Sequence, residues 1–414
     1  TTNTAGGTRN LALGNYALDA LTSGDDNVAV GYAAMGANNT GAENTALGIY
    51  ALDANTSGGN NVATGVHALG ANTTGSQNTA VGQQALRTNT TASYNTALGS
   101  NALKLNTGEE NTAIGYAALD ANTTGAKAVA VGSQALGANT TGAQNIGIGY
   151  NAAGANTTGT RNLAIGYQAY DASDTENDNI AIGYAAMTTN TAGGQHNLAI
   201  GNYTMDALTS GDSNIAVGNS AMGAITTGGS NTAIGYQALD ANTTGNINVA
   251  IGYDALGSLT TADGNVAIGR EAGASITEGV RNVAVGTSAG MTATDVNDNT
   301  AVGSAALKDN AAASNTAVGS LALTENTTGA DGVAVGHDAL KNNTTGAGNT
   351  GIGRGALEAN TTGTRNLAVG AFAMDASDTE NDNIAIGYSA MSADNAGGVE
   401  NIAIGNYALD ALTS

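Results

Sequence analysis

The stretch Asn78–Gly99, NTAVGQQALRTNTTASYNTALG, starts and ends with the same pattern, Asn-Thr-Ala-aliphatic-Gly. The two copies begin 17 residues apart, at Asn78 and Asn95. With the first residue of this pattern as position 1, the chain contains 24 such repeats, and 19 of the 23 intervals between them are 17 residues long. A short fixed period is typical of a stacked array of similar units and not of a globular domain.

A longer repeat contains the short one. The opening sequence TTNTAGGTRNLALGNY returns as TTNTAGGQHNLAIGNY at Thr188 and as SADNAGGVENIAIGNY at Ser392. The offsets are whole multiples of 17, so we interpret one repeat as one structural turn. We therefore expect a single continuous solenoid over 1–414, with longer copies at 1–187, 188–391 and 392–414. The chain stops within a repeat, so we interpret it as part of a longer filament.

Composition argues against several classes of function. A formal charge of −22 with only 11 Lys and Arg disfavours binding to nucleic acids and to anionic membrane surfaces. No apolar run approaches the roughly 18 residues of a membrane span, so we expect no membrane insertion by this segment. Without Cys, neither disulfides nor thiolate chemistry is available. His67, His196 and His337 lie in different repeats with no recurring partner, so we expect no enzyme and no His zinc site.

Glycine and the strand-forming residues predict the fold of one repeat. Position 5 is Gly in all 24 repeats, and a second Gly recurs at position 15, as at Gly75 and Gly125, which predicts two turns. Positions 1–4, rich in Thr, Val and Ile, predict a short strand, and positions 8–12 a second strand or an extended arm. Pro, which would interrupt a central strand, is absent. The predicted fold class is an all-β parallel β-solenoid of about 24 coils.

Both faces of the predicted strand are apolar. Position 3 is Ala in 22 repeats and Gly in two, and positions 2 and 4 hold Val, Ile, Leu or Thr. Alternate residues of a strand point to opposite faces, and a strand that is apolar on both faces is buried on both. Position 8 is also Ala in every repeat except at Thr204. We expect parallel packing of identical chains, most simply a homotrimer; the alternative is a flat monomer whose narrow interior is filled by Ala.

The pattern N-x-A-[VIL]-G-x-x-A, as in NTAVGQQA at Asn78, resembles the head repeats of trimeric autotransporter adhesins. The repeat NTAIGYQALDANTTG, Asn231 to Gly245, is similar to repeats of bacterial and phage tail-fibre-like proteins. The resemblance covers essentially the whole chain, although the repeat is longer than in the best-known adhesin heads. It implies a left-handed parallel β-roll, assembled as a homotrimer or filament, that serves outside the cell or on a virion as a fibre shaft or adhesive head.

Tyrosine gives the first candidate site, because 12 of the 14 Tyr fall at positions 6 or 7, directly after the invariant Gly. Amphipathic rings aligned along one edge could form a surface for a cell-surface glycan or receptor. The alternative is that these rings only cover the turn and stack on one another. The candidate binding residues are Tyr32, Tyr116, Tyr150, Tyr167, Tyr184, Tyr236, Tyr253 and Tyr388.

The acidic sequence DASDTENDN, which occurs at Asp171 and again at Asp375, gives a second candidate site. Carboxylates at alternate positions could converge on a hard cation such as calcium, although an EF-hand Gly and distal Glu are missing. The alternative is a solvated charged bulge, and no other cofactor is expected. The candidate calcium ligands are Asp174, Glu176, Asp178, Asp378, Glu380 and Asp382.

Threonine and asparagine offer two weaker signals. Asn-Thr-Thr sequences such as those at Asn72, Asn122 and Asn242 match an N-glycosylation acceptor, but turn formation also explains them. Recurrent Thr at positions 13 and 14 raises the alternative of an ice-binding solenoid. The main expectation is a non-enzymatic extracellular fibre that presents an adhesive or receptor-binding tip, and the principal alternative is a glycan-binding module that uses its tyrosine edge.

Overall fold

A computed structural model describes residues 7–190, 192–393 and 398–410 of the chain. The expected longer copies therefore include residues 1–6, 191, 394–397 and 411–414, which lie outside the described residues. The chain divides into two compact units, Thr1–Ser210 and Gly211–Ser414. Throughout the described ranges the regular structure consists of three-residue strands at positions 2–4 of the repeats, without any helix.

Each unit contains twelve strands. Those of the first unit are β1 (Leu11–Leu13), β2 (Val28–Val30), β3 (Thr45–Leu47), β4 (Val62–Thr64), β5 (Thr79–Val81), β6 (Thr96–Leu98), β7 (Thr112–Ile114), β8 (Val129–Val131), β9 (Ile146–Ile148), β10 (Leu163–Ile165), β11 (Ile180–Ile182) and β12 (Leu198–Ile200). Those of the second unit are β13 (Ile215–Val217), β14 (Thr232–Ile234), β15 (Val249–Ile251), β16 (Val266–Ile268), β17 (Val283–Val285), β18 (Thr300–Val302), β19 (Thr316–Val318), β20 (Val333–Val335), β21 (Thr350–Ile352), β22 (Leu367–Val369), β23 (Ile384–Ile386) and β24 (Ile402–Ile404).

Successive strands within each unit pair in parallel and in register. In the first unit Thr79 lies opposite Thr96, and in the second Thr232 lies opposite Val249. The same pairing links every consecutive pair of strands from β1 to β12 and, separately, from β13 to β24. Each coil returns to the same place one strand spacing further on, which confirms the all-β parallel β-solenoid with its 17-residue repeat.

The prediction of a second strand at positions 8–12 is wrong. Positions 6–11 form consecutive turns in which residues at positions 7 and 9 have positive φ, as for Gln84 (59°) and Leu86 (51°). This alternation points successive N–H groups at opposite neighbours: Gln84 donates to Val66 O of the preceding repeat at 2.9 Å, and Leu86 to Ala102 O of the following repeat at 3.0 Å. The segment thus satisfies its backbone hydrogen bonds by linking coils in both directions, without an extended conformation.

The two recurrent glycines have different causes. Gly82, at position 5, has a φ of 139°, a conformation that only Gly adopts readily. Gly125, at position 15, has no positive φ, but an added Cβ would lie 2.5 Å from Oδ1 of Asn122 and closer still to Gly142 O. The second bend itself falls at positions 13 and 14. Position 5 therefore requires glycine for its backbone conformation and for the close approach of the next coil, whereas position 15 favours glycine for close approach alone and also holds Ala92 and Ala262.

The narrow interior of each coil accounts for the small residues at positions 3 and 8. Ala80, Ala85 and Leu86, at positions 3, 8 and 9, have no exposed surface within the single chain. The same holds in the second unit for Ala233, Ala238 and Leu239. Positions 3 and 8 are therefore buried by the single chain itself, whereas the side chains at positions 2 and 4 point outward.

Two rows of buried asparagine side chains run through the coils. Nδ2 of Asn72, at position 12, donates to Asn55 Oδ1 and to Gly75 O, both at 2.9 Å. Asn61, at position 1, donates to the same Gly75 carbonyl at 2.9 Å. Asn72, Asn122 and Asn242 are fully buried, so their amide nitrogens are inaccessible to glycosylation in the folded chain. The Asn-Thr-Thr sequences are explained by this interior hydrogen bonding as well as by the bend that follows.

Differences in repeat length are absorbed at the bend at positions 13 and 14. In a 17-residue repeat the position-12 amide reaches the carbonyl three residues later, as from Asn72 to Gly75. In the 16-residue repeat 95–110 Asn106 reaches Gly108, two residues later, and in the 18-residue repeat 179–196 Asn190 reaches Gly194, four residues later. The strands on either side of each bend keep their pairing in register.

Candidate functional site

An apolar stripe, formed by the side chains at positions 2 and 4, covers the outer face of the strands in each unit. Leu98 in the first unit is 47% exposed and Ile234 in the second is 40% exposed. No charged residue occurs at these positions in any of the 24 repeats. Because adjacent strands lie about 4.8 Å apart, neighbouring side chains of the stripe stand in a dense row. A continuous exposed apolar surface of this kind is typical of a protein–protein interface.

The tyrosine edge, formed by the side chains at positions 6 and 7, contains aromatic rings that contact one another between repeats. The centroids of Tyr150 and Tyr167 are 5.2 Å apart, as are those of Tyr167 and Tyr184, with interplanar angles of 17° and 6°. In the second unit Tyr236 stacks on Tyr253 at 5.4 Å and 10°. Each stacked pair contributes about 0.5–1.5 kcal/mol to stability, in addition to the free energy gained by burying the rings. The stacks therefore help to link one coil to the next.

The remaining candidate tyrosines make different contacts. Tyr32 meets Tyr16 and Tyr50 edge to face at 5.6 and 5.4 Å. Tyr388 likewise meets its ring neighbours, Phe372 and Tyr407, edge to face, at 6.1 and 5.4 Å. Tyr116 is 58% exposed, and no ring of the described residues lies against it. The structure thus brings seven of the eight candidates into ring contacts and leaves Tyr116 separate.

Stacking limits what the tyrosine edge can offer a ligand. A sugar that packs on an aromatic side chain uses the face of the ring, and in the stack of Tyr150, Tyr167 and Tyr184 the inner faces are covered by neighbouring rings. Ring edges, hydroxyl groups and the outermost faces remain accessible. Full binding faces are therefore available only where a stack ends or where a ring has no aromatic neighbour.

The first acidic candidate set faces several different partners. Glu176 is only 2% exposed, and its Oε2 accepts the N–H groups of Asp174 at 2.9 Å and Thr175 at 3.0 Å. Its Oε1 accepts the Gly193 N–H at 3.1 Å. Asp178 forms a bidentate ion pair with Arg161 at 2.6 and 2.7 Å, which lowers the pKa of this aspartate. The side chain of Asp174 accepts the Thr157 hydroxyl.

The second acidic set repeats this arrangement. Glu380 is 3% exposed and accepts the N–H groups of Asp378 and Thr379, both at 3.1 Å. Asp382 pairs with Arg365 at 2.6 Å. Within the ranges that the structure describes, no three His, Asp or Glu side chains are grouped so as to hold a metal ion. Neither set is therefore brought together as a calcium site.

The buried glutamates also differ from a solvated bulge. Glu176 and Glu380 stand at position 15, where most repeats carry Gly, and each is followed by an 18-residue repeat. In the repeat after Glu176 the additional residue lies in the bend next to the carboxylate, and the Gly193 N–H of that bend bonds to Glu176. The sequence carries a signal for this arrangement, because both glutamates precede a lengthened repeat.

The histidines take part in separate local contacts. His67 stacks on Tyr50 at 5.0 Å and 7°, and His196 Nε2 lies 3.9 Å from Asp178 Oδ2. His337 Nδ1 lies 2.5 Å from Asp338 Oδ2. Threonines at position 13 donate their hydroxyls along the stack, as from Thr56 to Thr73 O at 3.1 Å. This axial bonding commits the hydroxyl hydrogens to the protein backbone.

Sequence reasoning missed a pocket of about 510 Å³ beside the tyrosine edge of the first unit. It is lined by Asp53, His67, Gly70, Ala71, Arg87 and Thr88. The signal was a glycine at position 10, a position that carries Asp53 in the preceding repeat and Arg87 in the following one. This pocket brings an acid, Asp53, a base, Arg87, and an aromatic ring, His67, together.

No family model matches the chain, and no curated protein matches it. Among the described residues, none forms a helix that is long and apolar enough to cross a membrane.

Proposed function

We propose that this chain is a structural, non-enzymatic part of an extracellular fibre, on a cell surface or a virion, that presents an adhesive or receptor-binding tip. The observation that carries this proposal is the uncharged apolar stripe, which every repeat extends along the hydrogen-bonded coils. A stripe of this length fits a lengthwise interface with other chains. A site confined to a few repeats would not require the same pattern at every coil.

The bonding between coils supports a mechanical role. Ordering the backbone of one 17-residue repeat costs roughly 17–34 kcal/mol, so a single coil is stable only through its neighbours. Strand pairing, the asparagine rows, the aromatic stacks and the ion pairs at position 17 all act between adjacent coils. The formal charge of −22 would keep separate fibres from bundling.

The stripe also supports a parallel homotrimer, with left-handed coils as the resemblance implies. Burying a half-exposed Ile or Leu would contribute about 1–2 kcal/mol per side chain at 25 cal/mol per Å². Identical chains packed in parallel would place uncharged stripe against uncharged stripe at every coil. The interface would therefore grow with each repeat, as a fibre requires.

The solution mass of the folded chain tests this assembly. We expect three times the chain mass of 40.2 kDa by analytical ultracentrifugation. The double variant Ile234→Asp, Ile268→Asp places two charges on the stripe and should shift the mass toward one chain. The control Asn219→Asp adds a charge at an exposed site on the tyrosine edge and should leave the mass unchanged. A wild-type mass equal to one chain would refute the trimer.

A second candidate function is glycan binding by the tyrosine edge, which is favoured by the exposed rings and hydroxyl groups there. Tyr116 has both faces free of other described rings, and Tyr253 is 51% exposed at the end of a stack. A glycan array on this chain distinguishes the two roles, since a segment that serves only as a shaft should bind nothing. Loss of array binding in Tyr116→Ala and Tyr253→Ala would support the edge as the binding surface.

A further inference from the structure

The pocket beside the tyrosine edge lies at Gly70, one of six glycines at position 10 and the one that is followed by a cation, Arg87, at position 10 of the next repeat. Gly70 has no positive φ, and an added Cβ would lie 3.3 Å from His67 O and 3.5 Å from Asp53 Oδ1. Other repeats carry Asp at this position, including Asp53 and Asp120. The backbone therefore does not require glycine here, and what distinguishes this gap is that it lies between Asp53 in the preceding repeat and Arg87 in the following one. Its volume of about 510 Å³ lies within the range of small-ligand pockets.

The gap is lined on one side by a cation, Arg87. Arg87 and Lys104 occupy position 10 of successive repeats, and neither forms an ion pair within 4.0 Å in the described part of the chain. By contrast, Arg161 and Arg281, at position 17, are each paired with an aspartate of the next repeat at 2.6–2.7 Å. Arg87 therefore offers the pocket a guanidinium group that no carboxylate of the described residues pairs with, whereas Lys104 lies outside the lining and interacts with Asp120.

The opposite side of the pocket supplies a hydrogen-bond acceptor and an aromatic ring. The Asp53 carboxyl is half-buried, and burial raises its pKa, with the neighbouring His67 acting in the other direction. His67 is the last ring in the series Tyr16, Tyr32, Tyr50 and His67. The next repeat places Gln84 at this position, so no further ring covers the second face of His67.

We propose that this pocket binds a sugar unit that carries a carboxylate. The carboxylate would bind Arg87, a sugar hydroxyl would donate to Asp53, and the apolar face of the sugar would pack on His67. A neutral sugar lacks the ionic contact, and a simple anion lacks the contacts with Asp53 and His67. The inference rests on the glycan-binding role proposed for the tyrosine edge, and it names the substrate class and the residues.

Binding of monosaccharides to the full chain tests the proposal. The probes are the methyl glycosides of N-acetylneuraminic acid and glucuronic acid, with methyl glucoside and acetate as comparisons, measured by calorimetry and saturation-transfer NMR. We expect the acidic sugars to bind at least about tenfold more tightly than either comparison, and Arg87→Gln to remove this preference. Equal binding of methyl glucoside or of acetate would overturn the proposed recognition of an acidic sugar.

A matched pair of glycine variants locates the site. Gly70→Asp fills the pocket with the residue found at this position in other repeats, and it should abolish binding. Gly137→Asp is the control, because Gly137 likewise follows a repeat with Asp at position 10, Asp120, but faces no cation in the next repeat. This control should bind as the wild type does, and both variants should keep the wild-type solution mass.

The outcomes separate this pocket from the broader glycan role. If Gly70→Asp binds acidic sugars as tightly as the wild type, the assignment of the binding site to this pocket is refuted, even if the array shows glycan binding elsewhere on the tyrosine edge. If the wild type binds no saccharide on the array, the glycan role itself fails and the pocket fails with it. Neither outcome affects the trimeric shaft, which the solution mass tests independently.

Discussion

Substitution of Gly82 by Ala tests the cause of the invariant glycine. Gly82 has a φ of 139°, and an added Cβ would lie 2.5 Å from the carbonyl carbon of Gly99 and closer still to its oxygen. Real Cβ contacts are essentially never under 3.0 Å, so the next coil must move away. The hydrogen bond from Gly99 N to Val81 O, 2.8 Å long, joins the same two coils at this point.

Two terms give the size of the effect. Holding Ala at this φ costs about 1–3 kcal/mol in backbone strain. Weakening one or two hydrogen bonds between the coils adds about 1 kcal/mol each. We therefore expect Gly82→Ala to destabilise the fold by about 2–5 kcal/mol. The control is Gly36→Ala: Gly36 has no positive φ and its nearest atom would be 3.4 Å from the new Cβ, so this change should cost almost nothing.

Urea unfolding and hydrogen exchange together measure the prediction. Urea gives the loss of global stability, and exchange in peptides covering residues 61–115 shows whether protection is lost around the substituted coil. Local loss is expected because contacts in a solenoid join neighbouring coils only. If Gly82→Ala and Gly36→Ala differ by less than about 0.5 kcal/mol, the steric explanation of the invariant glycine is refuted.

Three further changes test the interior and the edge. Burial, reinforced by the negative charge of Asp254, raises the pKa of the Asp240 carboxyl above 3.8. The protonated carboxyl therefore contributes fully to stability below pH 3.8, and this contribution is lost as the pH rises through the folded-state pKa. The variant Asp240→Asn should flatten this pH dependence of stability, measured by urea titrations at several pH values. Tyr170→Phe removes the 2.7 Å hydrogen bond from Asn179 Nδ2 and should lower the midpoint of urea unfolding by an amount equivalent to about 1 kcal/mol; no change would contradict it. Asn72→Ala breaks a buried row and should cost about 2–4 kcal/mol, measured by the same unfolding, with the exposed change Asn219→Asp as control.

Sequence reasoning predicted the repeat, the strand and the parallel stacking, because these follow from strict apolar positions and from invariant glycine. It did not predict the turns at positions 6–11. Leu86 and Gln84 have positive φ without being Gly or Asn, and nothing in their side chains signals this conformation. The conformation follows from hydrogen bonds to two different coils, which exist only in the assembled stack.

For the candidate sites, too, the sequence predicted which residues recur but not the contacts that they make between coils. The tyrosine edge was predicted because Tyr recurs at fixed positions, whereas its ring stacking depends on side-chain orientation between coils. The acidic sets were predicted as possible calcium ligands from their spacing alone. Glu176 is instead directed inward by the bend of the next repeat, which donates the Gly193 N–H. The pocket at Gly70 depends on Asp53 and Arg87 at the same position of the two neighbouring repeats, and a search for recurrent residues does not compare such neighbours.

The bend at positions 13 and 14 makes this fold a natural scaffold for display. Repeats of 16, 17 and 18 residues follow one another while strand partners such as Ile180 and Leu198 stay opposite each other. A peptide grafted into this bend would leave the interior intact, and grafts in successive repeats would be spaced about 4.8 Å apart along one edge. Foreign epitopes could thus be presented in an ordered row at chosen intervals.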